Sequence, residues 1–257
     1  MGKLDGKVCV ITGCSAGIGK QVAIRFAEEG AKLAICDWSE ERLMMTKRIC
    51  EEKGAEVLAM FCNLSEHSDI VAFVDAIEAK FGRVDVLVNN GISVKIGVPF
   101  MEQTFEEFFE LPLKTGFYPT WQLMQLCFKM MKDNGGSIIN LGSSTQDGAI
   151  GFAGYGAVKG AITSLTRTVA IEFGKYGIRV NNVYPAVLTD KMSGEIDSDF
   201  PDHVKEYFAI GLSQNVFGRP GDPYKDLTPV FVFLASEDSH WITGQDICAE
   251  GGTSIHR

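Results

Sequence analysis

Short apolar runs rich in β-branched residues alternate along the whole chain with longer stretches of helical periodicity. Strand–helix–strand alternation places successive strands in parallel, and the helices then cover both faces of the sheet. Because such crossovers are right-handed, the sheet is doubly wound. The pattern predicts strands over residues 7–12, 32–37, 55–61, 84–89, 137–141, 178–184 and 245–250, and helices over 17–29, 40–53, 67–81, 105–132, 154–173 and 226–234. We therefore expect an α/β protein with about seven strands.

No internal repeat, low-complexity tract or Pro/Gly-rich linker divides the 257 residues. A single α/β domain often reaches this length, so we predict one domain over residues 1–257. Ligands of doubly wound sheets bind where the carboxyl ends of the strands meet. The loops that follow the strands are therefore the places to look for a site.

The net charge of −9 argues against nucleic acid as a partner, because phosphate neutralisation needs a basic face. The first residues lack the apolar stretch of a signal peptide, and no apolar run is long enough to span a bilayer. The seven cysteines form no C-x-x-C pair and the four histidines show no ligand spacing, so we expect no metal site. Together these features predict a cytoplasmic protein without a membrane partner.

A glycine-rich turn, Thr12 to Gly19, joins the first strand to the first helix and reads G-x-x-x-G-x-G. Glycine lets the backbone turn sharply and approach a diphosphate, while the helix N-terminus offers unpaired N–H groups. An ordinary glycine turn is the alternative, but the strand before and the helix after are the context that a dinucleotide site requires. We predict a Rossmann-type cofactor cradle formed by Gly13, Ser15, Gly17, Ile18 and Gly19.

Asp37 closes the second strand, eighteen positions after Gly19. That offset matches the acid that holds the adenosine ribose hydroxyls, about 20 residues beyond the glycine motif. Its charge would repel a 2′-phosphate, and Trp38 offers no guanidinium to pair one. We therefore expect Asp37 and Trp38 to contact the cofactor, and NAD to be preferred over NADP.

Several motifs, in their order and spacing, make almost the whole chain resemble the short-chain dehydrogenases/reductases. They are the Thr12–Gly19 turn, Asn89-Asn90-Gly91, Ser143, Tyr155-Gly156-Ala157-Val158-Lys159, Asn182-Val183-Tyr184-Pro185, Gly218-Arg219-Pro220-Gly221, Thr243-Gly244-Gln245 and Gly251-Gly252. The resemblance implies a cofactor half over about residues 1–140 and a catalytic and substrate half over about 141–257.

The resemblance also assigns roles to particular residues. Tyr155 would be the general acid/base, Lys159 would lower its pKa and hold the nicotinamide ribose, and Ser143 would bind the substrate oxygen. Lys159 stands four residues after Tyr155, one turn away on the same helix face. Further cofactor contacts carried over by position are Asn63, Leu64, Asn90, Gly91, Pro185 and Leu188, besides Tyr155 and Lys159 themselves.

The sequence departs from the family pattern at three places, and each departure leads to a structural expectation. The family's Asn-Asn-Ala-Gly reads Asn89-Asn90-Gly91-Ile92, which predicts a shorter loop behind the cofactor. Pro112 stands where many members have an asparagine that anchors a water near the lysine, and proline disrupts a helix interior. Ser143 lies twelve residues before Tyr155, one fewer than usual, so Ser144 is the neighbouring candidate.

Residues 190–216 are long for a connection and mix apolar with acidic side chains, which predicts a lid. With Val94, Ile96, Val98, Phe152 and Tyr184 as a further wall, it would suit a bulky apolar secondary alcohol or ketone, such as a hydroxysteroid or alicyclic alcohol. The resemblance implies a homo-oligomer, a tetramer in most members. The alternatives left open are a same-triad enzyme for epimerisation or C=C reduction, and a catalytically weak or inactive NAD(H)-binding sensor or scaffold.

Overall fold

The structure is a computed structural model that describes residues 2–196, 200 and 202–253, with only the backbone described at 203 and 207–209. Residues 197–199 and 201, which belong to the predicted lid, lie outside the described residues, as do Met1 and 254–257 of the predicted domain. The strands are β1 (Val8–Thr12), β2 (Lys32–Asp37), β3 (Val57–Phe61), β4 (Val86–Asn89), β5 (Gly136–Leu141), β6 (Ile178–Pro185) and β7 (Asp246–Ala249). The helices are α1 (Gly17–Glu28), α2 (Glu40–Glu52), α3 (His67–Phe81), α4 (Tyr118–Met131), α5 (Ala153–Phe173), α6 (Asp190–Ser193), α7 (Asp202–Gly211) and α8 (Thr228–Ala235).

The seven strands form one parallel sheet in the order β3-β2-β1-β4-β5-β6-β7. The order reverses between β1 and β4, which is where ligands of doubly wound sheets bind. The predicted fold class, a Rossmann-type doubly wound sheet of seven strands, is confirmed.

Helices cover both faces of the sheet, so the strands between the two edge strands β3 and β7 are buried on both sides. In β1, Cys9 and Ile11 belong to a core shared with Val22 and Phe26 of α1, and the intervening Val10 belongs to a core on the opposite face. Alternate residues of a strand point to opposite faces, so each side chain of this apolar run has a core to enter.

The predicted ends of the elements agree with the structure to within two residues, with one exception. The segment predicted as a helix over 105–132 contains two π-helical turns, Glu106–Glu110 and Leu113–Phe117, before the regular helix α4. A single turn, Pro223–Leu227, is likewise π-helical and precedes α8. The sequence predicts that Pro112 and Pro119 interrupt the first of these segments; the chain instead stays helical through both prolines, and only its winding departs from a regular α-helix.

In the described part of the chain, no helix is both long enough and apolar enough to cross a membrane.

Candidate active site

The glycine-rich turn folds tightly between β1 and α1. Gly13 and Gly17 have φ of +74° and +59°, a region that side-chain-bearing residues rarely adopt. A Cβ on Gly19 would lie 2.2 Å from the carbonyl oxygen of Gly13, so only glycine permits this approach. The first N–H groups of α1 have no partner within the helix and face the carboxyl edge of the sheet. Gly13, Ser15, Gly17, Ile18 and Gly19 thus surround one helix N-terminus, as the sequence predicts.

Asp37 ends β2 at the same edge of the sheet and is almost fully buried, with 6% of its surface exposed. Its carboxylate accepts hydrogen bonds from the Ser15 N–H (2.9 Å) and the Ser39 N–H (3.0 Å). These bonds orient the carboxylate beside the glycine turn. The indole of Trp38, by contrast, is 66% exposed.

Asn90 and Gly91 attach the loop after β4 to the glycine turn. The Thr12 hydroxyl accepts from the N–H of Asn90 (3.0 Å) and of Gly91 (2.9 Å), and the Asn90 Nδ2 donates to the carbonyls of Thr12 (2.9 Å) and Gly13 (3.1 Å). A Cβ on Gly91 would meet Leu64 Cδ1 at 2.4 Å. The short Asn-Asn-Gly loop therefore packs directly against both the glycine turn and Leu64.

Asn63, after β3, builds a turn with its side-chain oxygen, which accepts from the N–H (3.1 Å) and the hydroxyl (2.8 Å) of Ser65. Pro185 ends β6, and Leu188 lies three residues on, where its N–H donates to the Gly221 carbonyl at 2.9 Å. Apart from Tyr155 and Lys159, which lie on α5, the predicted cofactor residues thus lie at or shortly after the carboxyl ends of β1, β2, β3, β4 and β6.

Ser143, Tyr155 and Lys159 converge in spite of the short spacing between the first two. Ser143 caps a 3₁₀ turn, Ser144–Asp147, and its Oγ accepts from the Thr145 hydroxyl at 2.9 Å. It also forms a hydrogen bond with the Tyr155 phenol. This tight turn compensates for the spacing between Ser143 and Tyr155, which is one residue shorter than usual in the family. Ser143 rather than Ser144 therefore faces the phenol.

Lys159 is buried one turn further along α5, with 3% of its surface exposed. Its Nζ lies 5.5 Å from the centre of the Tyr155 ring and donates to the Leu141 carbonyl at 2.5 Å. Burial lowers the pKa of Lys159 from 10.5 to about 7. Burial also raises the pKa of Tyr155 to about 12, and the hydrogen bond with Ser143 opposes that rise. An amine that titrates near neutral pH thus adjoins a phenol that keeps its proton.

Pro112 does not break the helical segment, contrary to the expected disruption. It is buried, with φ of −66° and ψ of −27°, between the two π-helical turns. On the following turn, Thr115 Oγ1 accepts from the Ser93 N–H (3.0 Å) and donates to the Leu111 carbonyl (2.8 Å). Thr115 therefore attaches this segment to the loop after β4.

A small apolar cluster covers the phenol. Ile96, Phe152 and Val204 are buried together, and Val94, Ala149, Tyr155 and Phe200 pack against them. The predicted wall residues Val94, Ile96 and Phe152 thus share this cluster with Val204 of α7, a helix within the predicted lid. Tyr184 lies elsewhere: its ring packs under Gly142 and its hydroxyl lies 2.7 Å from Gln146 Nε2 and 2.8 Å from Thr163 Oγ1.

Asp190, the first residue of α6, contacts the glycine turn, and the sequence did not predict this contact. Its Oδ1 accepts from the N–H of Gly17 at 2.9 Å. The two residues are 173 positions apart, so no local signal could have paired them.

A family model described as enoyl-(acyl carrier protein) reductase matches residues 13–254. The chain belongs to the short-chain dehydrogenase/reductase family. A 12α-hydroxysteroid dehydrogenase of Clostridium sp. is 34% identical over 98% of each chain, and a 3-oxoacyl-[acyl-carrier-protein] reductase of Thermotoga maritima is 34% identical over 98% of this chain and all of its own. The crystal structure of levodione reductase matches 99% of this chain with a TM-score of 0.89 and 30% identity.

This member of the family is therefore an oxidoreductase that acts on CH–OH groups with a nicotinamide cofactor. The residues at the carboxyl edge fit such a cofactor. A carboxylate oxygen, that of Asp190, already lies at hydrogen-bonding distance from the N-terminus of α1, where a diphosphate oxygen would bind.

Proposed function

We propose that this protein is an NAD-dependent dehydrogenase that transfers hydride between the nicotinamide and a bulky apolar secondary alcohol or ketone, such as a hydroxysteroid or alicyclic alcohol. The observation that carries the proposal is the Ser143–Tyr155–Lys159 group beneath the apolar cluster of Ile96, Phe152 and Val204. A proton-transferring phenol that adjoins an apolar wall is suited to a carbonyl on an apolar skeleton.

The preference for NAD is inferred from Asp37. Its buried carboxylate is held toward the glycine turn by Ser15 and Ser39, so a 2′-phosphate at that position would meet a fixed negative charge. The exposed indole of Trp38 supplies no positive charge to offset it. The ribose hydroxyls of NAD could instead donate to the same carboxylate.

Each proposed catalytic residue acts on the proton rather than on the hydride, which the nicotinamide supplies or accepts. Tyr155 donates its phenolic proton to the carbonyl oxygen in reduction and takes the hydroxyl proton in oxidation. Ser143 orients that oxygen, since its hydroxyl already bonds the phenol. Lys159, protonated below about pH 7, favours the phenolate by its charge and can return the proton.

The remaining proposed contacts would hold the cofactor. Backbone groups of the glycine turn would bind the diphosphate, Asn63 and Leu64 would flank the adenine, and Asn90 and Lys159 would approach the riboses. Gly91 lets Leu64 lie against the loop after β4, and Pro185 and Leu188 would approach the nicotinamide.

An apolar substrate is favoured over a carrier-linked or phosphorylated one. An apolar cluster packs against the phenol, and the chain carries a net charge of −9, which would repel an acidic carrier. The similarity to a 12α-hydroxysteroid dehydrogenase supports a polycyclic alcohol. The six buried cysteines are free thiols, consistent with the cytoplasmic location that we propose, and we propose a homo-oligomer, a tetramer.

The function is tested by NADH formation from NAD with a panel of hydroxysteroids, alicyclic alcohols and sugar alcohols. We expect turnover of at least one apolar alcohol, and its loss by several orders of magnitude in Tyr155→Phe. The matched control is Tyr176→Phe, at an exposed tyrosine beyond the end of α5. Turnover that survives Tyr155→Phe would refute the role of Tyr155, and turnover confined to sugar alcohols would refute the substrate class.

Cofactor preference is measured as the ratio of kcat/KM for NAD to that for NADP. We expect a ratio of at least about 100 in the wild type, which corresponds to about 3 kcal/mol of discrimination. Asp37→Ser, which removes the charge, should lower the ratio mainly by improving NADP. A wild type that uses NADP as well as NAD would contradict the assignment of Asp37.

A further inference from the structure

Two segments far apart in the sequence meet at the N-terminus of α1. The N–H of Gly17, the first residue of that helix, donates to Asp190 Oδ1 at 2.9 Å. The same oxygen accepts from the N–H of Lys191 at 3.0 Å. The side chain of Thr189 lies over Gly17 as well, because a Cβ there would be 3.7 Å from Thr189 Cγ2.

The helix N-terminus attracts negative charge through its unpaired N–H groups and its dipole. In this structure the charge comes from Asp190, a residue of the chain itself. A diphosphate that binds the glycine turn needs the same donors and brings two negative charges to within a few ångströms of the carboxylate. The two anions therefore compete for the Gly17 N–H and repel each other.

The position of Asp190 links this competition to the segment that follows it. Upstream, the chain is fixed because Leu188 donates to the Gly221 carbonyl at 2.9 Å and Val187 pairs with Gly221. Thr189, directly before Asp190, caps α6, and downstream the Ile196 N–H donates to the carbonyl of Asp190 at 3.3 Å. Release of the carboxylate would therefore remove the hydrogen bond that attaches the start of α6 to the glycine turn.

We infer that Asp190 is an affinity-determining residue of the cofactor site: its carboxylate holds the Gly17 N–H in the cofactor-free protein and yields it to the cofactor's diphosphate. This rests on the dinucleotide site of the proposed function. The negative charge thus stabilises the cofactor-free state and weakens cofactor binding at the same time, and cofactor binding releases α6 from the glycine turn.

The test compares the wild type with Asp190→Asn, in which a neutral amide keeps an acceptor for the Gly17 and Lys191 N–H groups. The Kd for NADH is measured by calorimetry, and the Tm of the cofactor-free protein is measured in parallel. We expect Asp190→Asn to bind NADH about three- to thirtyfold more tightly, in line with the typical strength of a charge at a helix N-terminus, and to melt at a lower temperature. Asp190→Ser, which also lacks the charge, should show the same two changes.

The matched control is Asp202→Asn, which removes one negative charge from the exposed start of α7. Its Kd should stay within about twofold of the wild type. Equal Kd values for wild type and both Asp190 variants, or weaker binding by the variants, would overturn the inference and leave the proposed function intact. Failure of all four proteins to bind NADH would refute the dinucleotide site itself, and the inference with it.

Discussion

Tyr155 and Lys159 lie next to each other on α5, and burial disfavours the charged form of each. It therefore raises the pKa of the Tyr155 phenol and lowers the pKa of the Lys159 ammonium. The phenol has a pKa of about 12 and the ammonium a pKa of about 7, so near neutral pH the first proton to leave the pair comes from Lys159. The pair then holds one proton that either group can carry, and interacting groups of this kind titrate as a unit. A proton can therefore be taken from an alcohol although the phenol alone would not ionise at neutral pH.

The pH dependence of alcohol oxidation follows from this order of deprotonation. The active form of the pair has lost one proton, so kcat/KM should rise about tenfold per pH unit below pH 7 and level off above it. In Lys159→Met the phenol keeps its pKa of about 12, and the small residual rate should still rise between pH 8 and 10. A wild-type profile that is flat from pH 5 to 9 would contradict the assignment.

The same burial makes Lys159 costly for the folded protein. Its pKa falls from 10.5 to about 7 on folding, so between these values the unfolded chain binds a proton that the folded chain does not. Wild-type stability should therefore rise with pH across this window, and below pH 7 the folded state bears the full cost of the buried charge.

We expect Lys159→Met to keep only a small residual activity but to be more stable than the wild type at pH 6. The gain in free energy of unfolding should be about 2–3 kcal/mol smaller at pH 9 than at pH 6. At pH 9 the folded wild type no longer carries the buried Lys159 charge, so its substitution relieves less destabilisation. Urea unfolding at the two pH values measures it. Lys132→Met, at an exposed lysine, should show no such difference between the two pH values. Equal effects of Lys159→Met at both pH values would show that Lys159 does not titrate in this window.

Individual residues of the candidate site differ in whether the sequence alone could predict their positions. Asp37 and Lys159 could be placed because their offsets from Gly19 and Tyr155 are fixed by local geometry. Ser143 faces Tyr155 although one residue is missing between them, because the 3₁₀ turn Ser144–Asp147 takes up the difference. The contact of Asp190 with Gly17 depends on the path of a distant loop, which no spacing encodes.

At the level of elements, the segment around Pro112 departs most from its prediction. A π-helical turn has wider spacing than an α-helix, and such turns often occur as single-turn insertions in helices at functional sites. Two of them flank Pro112, and a Cβ on Gly154 would lie 1.9 Å from the Phe108 carbonyl oxygen of the first. The segment thus packs directly on the start of α5, the helix that carries the proposed catalytic residues Tyr155 and Lys159. Helical periodicity predicted a helix here but could not reveal this local change of winding.

Among the residues of this segment, Thr115 is the one whose substitution should weaken substrate binding. In Thr115→Val the Ser93 N–H loses its acceptor, which costs about 1–3 kcal/mol for a buried donor and less for this partly buried one. The loop that carries Val94 and Ile96 should loosen, so KM for an apolar alcohol should rise several-fold while the Kd for NADH changes little. Thr168→Val, at an exposed threonine whose hydroxyl bonds only the Ser164 carbonyl, is the control. An unchanged KM in Thr115→Val would show that this loop does not contact substrate.

At the scale of the whole molecule, a line of buried side chains crosses the sheet from β4 to β7. Asn89, Asn140, Asn182 and Asp246 lie in register on neighbouring strands. Asn89 donates to Asn140, Asn140 to the hydroxyl of Thr166, Thr166 to Asn182, and Asn182 to Asp246, each at 2.8 Å. The strands of the predicted cofactor half and catalytic half are therefore connected by side chains as well as by the backbone.

The predicted division near residue 140 falls inside β5, Gly136–Leu141, which pairs with β4 on one side and β6 on the other. If either half unfolded alone, β5 would lose one of the two strands with which it pairs. The amides of Asn140 and Asn182, which are fully buried, would then be exposed. We therefore predict a single cooperative unfolding transition in calorimetry, as expected of one domain.

Cofactor binding to that one unit should shift the whole transition. A ligand at about 100 times its Kd stabilises the folded state by about 2.7 kcal/mol, which for a chain of this size raises Tm by roughly 5–10 °C. NADH should produce this shift, and NADPH at the same concentration should produce much less because of Asp37. Two separate transitions, with only the first raised by NADH, would show instead that the halves unfold independently and that the continuity of the sheet through β5 does not couple them.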